Sequence, residues 1–417
     1  MISGKTSCGM LYAAKRRASG VGCCALSIRC GTRSEEGFHS GIAHFAEHCI
    51  FKGTSRRGSN AINNCLDRLG GELNAYTTKE EIVIHATVLK EDLYKAVGLL
   101  LELASSATFP ENEIETEKGV VIDEIKSYRD SPADDVYDRF EGMLFEGHPL
   151  GKPILGTAES VRKISSEELR LFARQKFRPG AMALTVVADY DEKLMEKKIN
   201  ALTAKYFSDP REAPVTPAGI RPEEGALFHG PEVNIFDRTI GKRHHEANAV
   251  IGSLAPSLYE HPDRLTAILL GNLLAGPASN SILNSVLREK HGWVYGVESS
   301  YTQYSDTGIM AISLGCEKEN LEKCFEAMGR EILRLQENPL SPARLKAAKK
   351  QLLGQLAISS EGGESQCLGM GKSLLAYGTI VPDETSRKEI EAITAAGLQE
   401  MACRLFGKDS VSRLIYL

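Results

Sequence analysis

The chain has 417 residues, more than one compact core usually holds, so length alone predicts two domains or more. With 42% hydrophobic and 25% charged residues and no low-complexity tract, the composition is that of an ordered globular protein and argues against intrinsic disorder. The net charge is −5 and Lys and Arg are scattered, which leaves no footprint for nucleic acid; the longest apolar stretches, such as 265–275, stop well short of the ~20 residues that cross a bilayer.

The first 30 residues alternate apolar and polar positions and predict strands near 8–14 and 20–31, without the basic start and long apolar core of a secretory leader. Ten cysteines at irregular spacing, with Cys23-Cys24 adjacent and no C-x-x-C, read as free thiols in a reducing, cytoplasmic setting. Helices follow over 40–51 and 59–69. The segment GGELNAYTTKEEIVIHATV predicts an antiparallel strand pair over 71–88, with Gly70-Gly71 marking a tight connection. Further helices are expected over 90–107 and 110–130. From Tyr206 to Glu232 five prolines and no apolar periodicity predict an extended linker, which divides the chain into 1–209, a linker over 210–231, and 232–417.

The two halves resemble each other. Ile164, Leu169 and Phe177 share their spacing with Ile393, Leu398 and Phe406, and Ile114, Val121 and Ile125 share theirs with Leu345, Leu352 and Leu356, at offsets of 229 and 231. This predicts an internal duplication of an α+β module, each copy a mainly antiparallel sheet with helices packed on one face.

The most informative residues are His44-Phe45-Ala46-Glu47-His48. On a helix His44 and His48 are one turn apart on one face and can reach a single ion, and Glu47 is placed to act on water held there. A catalytic zinc takes a third protein ligand, and Glu117 and Glu124, seven apart on one face of the helix over 110–130, are the candidates. Either feature alone has a bland explanation, since H-x-x-E-H arises by chance and glutamates favour solvated helix faces. The repeat decides between them: the positions matching Glu117 and Glu124 are Ala348 and Gln355, in a half without H-x-x-E-H, so carboxylates and histidines occur together or not at all. A structural zinc site would need four Cys or His ligands, and only Cys49 is near. His244-His245 are adjacent on an extended segment, where neighbouring side chains diverge, and read as satisfied polar positions.

With these blocks in view the chain resembles, over essentially its whole length, the insulinase or pitrilysin family of zinc peptidases, in particular the small branch that includes mitochondrial and bacterial processing peptidases. GIAHFAEHCIFKGT (41–54) resembles the family block G-x-x-H-x-x-E-H-x-x-F-K-G-T, and EKGVVIDEI (117–125) and HPLGKPILGT (148–157) resemble two further blocks. The resemblance implies one Zn²⁺ per chain held by His44, His48 and Glu124, with Glu47 as general base and Glu117 orienting His48. It also implies that Asn74 and Ala75, in GGELNAYTTKE, hold the substrate backbone by strand addition, and that Arg288 and Tyr295, in LREKHGWVYG, contact substrate and stabilise the oxyanion. The loop LLAGPASNSILN departs from many relatives in having fewer glycines and Asn284 where several carry a charged or glutamine side chain. Relatives enclose unfolded peptides in a chamber of four modules. Two modules per chain then imply half of a clamshell and a homodimer, or a heterodimer with a related chain. The implied activity is peptide-bond hydrolysis; the alternative is a catalytically inactive peptide-binding or structural subunit of the same family, whose members typically lack one of the metal-binding residues that are all present here.

Overall fold

The structure is a computed structural model that describes residues 1–207, 233–242 and 245–417. The linker expected over 210–231 and His244 lie outside the described residues. The first half runs β1 (Ile2–Lys5), β2 (Leu11–Arg16), β3 (Val21–Ile28), α1 (Ile42–Cys49), α2 (Ser59–Asp67), β4 (Glu72–Thr77), β5 (Ile82–Leu89), α3 (Leu93–Ser106) and α4 (Glu111–Asp130). It continues with α5 (Pro132–Leu144), α6 (Ala158–Lys163), α7 (Ser166–Lys176), β6 (Met182–Ala188) and α8 (Glu192–Tyr206). The second half runs β7 (Asp237–Ile240), β8 (Glu246–Ala255), α9 (Asp263–Ala275), a π-helical turn Asn284–Lys290, β9 (Val294–Gln303), β10 (Gly308–Glu317) and α10 (Leu321–Glu337). It ends with α11 (Pro342–Ser359), α12 (Gly363–Tyr377), α13 (Asp383–Ala392), α14 (Ala395–Leu405) and β11 (Ser412–Tyr416).

The two sheets have one plan. The first has the order β1-β2-β6-β3-β5-β4 and the second β7-β11-β8-β10-β9. In each, the last strand of the half lies parallel to one neighbour (β6 to β2, β11 to β7) and antiparallel to the other, and a long hairpin ends in an edge strand, β4 or β9. Helices α4, α7, α11 and α14 fall where the sequence repeat places them, so the duplication is visible as topology.

Two compact units can be drawn, but they do not follow the contiguous division at 209 and 232. One holds 1–126, 152–207 and 359–381; the other holds 127–151, 233–358 and 382–417. Thus α12, from the second half, covers the face of the first sheet opposite α1 and α3, and α5, from the first half, does the same for the second sheet. Small side chains permit the first packing: a Cβ on Gly371 would collide with Ser27 Oγ, and one on Gly363 would come within 2.9 Å of Cys23 Sγ. Thr185 Oγ1 on β6 donates to Cys367 O at 2.9 Å. In the second unit Asp135 of α5 accepts from Lys242 Nζ at 2.8 Å and Tyr416 OH at 2.6 Å. With both faces covered, central strands such as β6 (MALTVVA) are buried throughout and read as apolar runs instead of alternating ones.

Gly70-Gly71 does not form the connection of the strand pair. Gly70, at φ 68, ends α2, and the turn between β4 and β5 is made at 78–81, where Thr78 N donates to Glu81 O at 2.8 Å. Among the described residues no helix is long and apolar enough to cross a membrane.

Candidate metal centre

Helix α1 is only eight residues long, too short to persist alone, and is held by its buried face. Ile42, Phe45, Ala46 and Cys49 recur at i, i+3, i+4 and i+7 and are fully buried in the first core. Burying Phe45 alone contributes roughly 1.5–3 kcal/mol. His44, Glu47 and His48 occupy the remaining face. Helix α4 carries a second stripe, Ile114, Glu117, Val121 and Glu124, in which two glutamates stand where the periodicity calls for apolar residues.

These two faces bring His44, His48 and Glu124 together, with one donor atom from each lying within 4.8 Å of the others. Oε2 of Glu124 is 3.5 Å from His48 Nε2 and 3.8 Å from His44 Nε2. Tetrahedral zinc with bonds near 2.05 Å spaces its ligand atoms roughly 3.3 Å apart, so the set is close to the size the ion requires. Glu124 Oε2 is buried and has no hydrogen-bond partner among the described residues. A buried carboxylate oxygen without a partner is costly, and a cation at this point is the chemistry that would satisfy it. The residues present therefore fit a zinc ion.

The surroundings orient the donors. His48 Nδ1 lies 2.9 Å from Glu117 Oε1, which leaves Nε2 free as a ligand, and Lys52 Nζ lies 2.6 Å from the other Glu117 oxygen. Burial works against the Glu117 carboxylate, but the bonds from His48 and Lys52 outweigh it and hold it below the usual glutamate range. Burial, with the neighbouring His48 charge, pushes His44 down to about 3, so it is the neutral imidazole that a metal needs. His48 is opposed by burial yet is held above the ordinary histidine value by Glu117, Glu47 and Glu124. Glu47 is raised by burial, against His48 and the hydroxyl of Thr77, which donates to its Oε2 at 3.4 Å.

Four contributors escape a sequence reading. Lys52 and Thr77 are described above. Glu35, fully buried, accepts from Gly41 N at 3.1 and 3.0 Å and from Ala43 N at 3.0 Å, capping α1 from outside the helix. Gly156 (φ 70) packs against Ser40 and Gly41, whose own φ is 89; a Cβ on Gly41 would lie 2.7 Å from Leu155 O. The positive φ and tight contact at Gly156 explain the glycine that precedes Thr157 in the block HPLGKPILGT.

Asn74 and Ala75 lie on β4, which among the described residues is an edge of the first sheet. Arg288 and Tyr295 belong to the second unit and take no part in the cluster of the first. Both are exposed, Arg288 on the π-helical turn and Tyr295 at the start of β9, donating to Glu317. Asn284 is buried and its amide donates to Gly276 O and Val297 O at 3.2 Å each, so it staples the loop LLAGPASNSILN. In the second unit the position of Glu124 is held by Gln355, whose Oε1 accepts from Asn272 of α9 at 2.9 Å; an amide pair stands where the first unit has its donor cluster.

Residues 12–158 match the model of the insulinase family, peptidase family M16, and residues 163–352 match that of the peptidase M16 inactive domain. An uncharacterized zinc protease, YmxG, of Bacillus subtilis is 30% identical over 388 residues, covering 93% of this chain and 91% of the relative. An uncharacterized zinc protease of Rickettsia felis is 28% identical over 390 residues, covering 94% and 91%. Among solved structures, a protease from Helicobacter pylori superposes with a TM-score of 0.86 at 19% identity, covering 100% of this chain and 98% of the other. A peptidase M16 inactive domain from Pseudomonas fluorescens does so with 0.86 at 18%, covering 100% and 97%. The two-sheet α+β fold is thus that of M16 proteins, and the chain belongs to the peptidase M16, or insulinase, family.

Proposed function

We propose that this chain is a zinc metallo-endopeptidase that hydrolyses peptide bonds in unfolded peptides, with His44, His48 and Glu124 holding one zinc ion per chain and Glu47 as general base. The observation that carries the reading is Glu124 Oε2, which makes no hydrogen bond among the described residues and lies beside the Nε2 atoms of both histidines. A zinc ion held there supplies Lewis acidity, lowering the pKa of water toward neutrality and polarising a carbonyl.

The chain's own residues do the rest. Burial raises Glu47 above the ordinary glutamate value, the direction that suits a carboxylate to take a proton from water and return it to a leaving amine. Glu117 fixes the ring of His48. Asn74 and Ala75 on the β4 edge pair with the backbone of an extended peptide, and Arg288 and Tyr295 donate to the developing oxyanion. The two-module chain forms a homodimer, or a heterodimer with a related chain, that encloses its substrate in the cytoplasm. A quenched-fluorescent peptide assay tests this: cleavage should disappear with a chelator and return with zinc. Zinc-loaded protein that cleaves no peptide would favour the inactive peptide-binding reading.

A further inference from the structure

Helix α1 poses an electrostatic problem that the metal donors do not solve. His44 is the third residue of the helix, so an ion bound to it lies close to the helix N-terminus, where aligned peptide dipoles place about half a positive charge. That end is unfavourable for a dication. The N-cap residue is Gly41, which has no side chain to take the free N–H groups.

Glu35 fills both needs from six residues upstream. Its carboxylate is wholly buried, accepts from two N–H groups at the start of α1, that of the N-cap Gly41 shared between both oxygens at 3.1 and 3.0 Å and that of Ala43 at 3.0 Å, and brings a negative charge to the positive end of the helix. Burial raises Glu35 to about 7, opposed by these N–H groups and by Lys152 and Lys79. Lys79 is itself buried and its Nζ donates to Lys152 O at 2.6 Å, tying the β4–β5 turn to the segment that packs on Gly41.

We infer that Glu35 is a positioning residue for the metal centre, whose buried charge neutralises the N-terminus of α1 and so raises the affinity of the His44 side of the site for a dication. The inference rests on the zinc reading of His44, His48 and Glu124. Glu35 touches none of those three side chains and no reacting atom; it acts through the helix that carries the two histidines.

The test measures zinc affinity of the full chain by competition with a chromophoric chelator at pH 8, above the value for Glu35. Glu35→Gln keeps an acceptor for the N–H groups but removes the charge; it should weaken zinc binding about tenfold while leaving the melting temperature of the metal-free protein near that of the wild type. Glu35→Asp keeps the charge and should stay within about threefold of wild type. A Glu35→Gln protein that folds and binds zinc within about twofold of wild type would overturn the inference, as would Glu35→Asp weakened as much as Glu35→Gln. If Glu35→Gln does not fold, the aspartate variant decides: a loss beyond about tenfold contradicts a role carried by charge. Wild-type protein that takes up no zinc would instead refute the metal-site reading, an outcome distinct from either.

Discussion

Nδ1 of His48 lies 2.9 Å from Oε1 of Glu117, and the other oxygen of that carboxylate takes Lys52 Nζ at 2.6 Å. A nearly buried glutamate is thus held ionised by a cation on one side and fixes an imidazole on the other. Groups that orient a metal-bound histidine typically contribute about 10–100-fold to metal affinity. Glu117→Gln should therefore weaken zinc binding by that order in chelator competition, and Lys52→Met by less, because it leaves the bond to His48 in place. Wild-type affinity in Glu117→Gln would show that His48 needs no such anchor.

Zinc binding should also be coupled to protons in a particular way. His44 is pushed down to about 3 and is already neutral near pH 6, whereas His48 in the metal-free protein is held above the ordinary histidine value and must lose a proton to bind. Because the raised group is a base, its proton competes with the metal on the acid side of its shifted value. Affinity should fall about tenfold per pH unit there, the slope of one proton. A slope near two in titrations from pH 8 to 5.5 would mean that His44 is charged as well.

Gly156 stands at φ 70 with Ser40 O where a Cβ would go. Gly156→Ala combines a strained backbone with a collision against the segment that enters α1, and should cost about 1–3 kcal/mol, seen as a melting point several degrees lower. Unchanged melting would show that the entry to α1 can shift without penalty.

Sharing of the site between subunits has its own test. Co-expressing a chain carrying Arg288→Ala with one carrying Glu47→Gln should restore part of the activity if Arg288 and Tyr295 of one subunit serve the zinc of the other. Mixed dimers without hydrolysis count against sharing in trans.

The sequence discloses the donor set better than it discloses what supports the set. His44, His48 and the pair Glu117 and Glu124 are legible because helical spacing turns i, i+4 and E-x6-E into shared faces, and because Ala348 and Gln355 break the pattern in the other copy; that Glu124 is the one to join the histidines follows only from the family resemblance. Glu35, Lys52 and Thr77 are not legible, since each acts across a tertiary contact that no local period encodes. The exchange of α5 and α12 is hidden for a related reason: an amphipathic helix declares that one face is buried, not which sheet buries it. Gly70-Gly71 looked like a hairpin connection because helix C-termini and tight turns both recruit glycine at positive φ.

As the proposed base, Glu47 would do chemistry on water beside a metal it does not hold. Glu47→Gln with its zinc content measured tests this most directly. The expected result is one zinc per chain, as in the wild type, with peptide cleavage reduced about 10²–10⁴-fold, the usual contribution of a positioned base. A zinc-loaded Glu47→Gln protein that cleaves at the wild-type rate would contradict it.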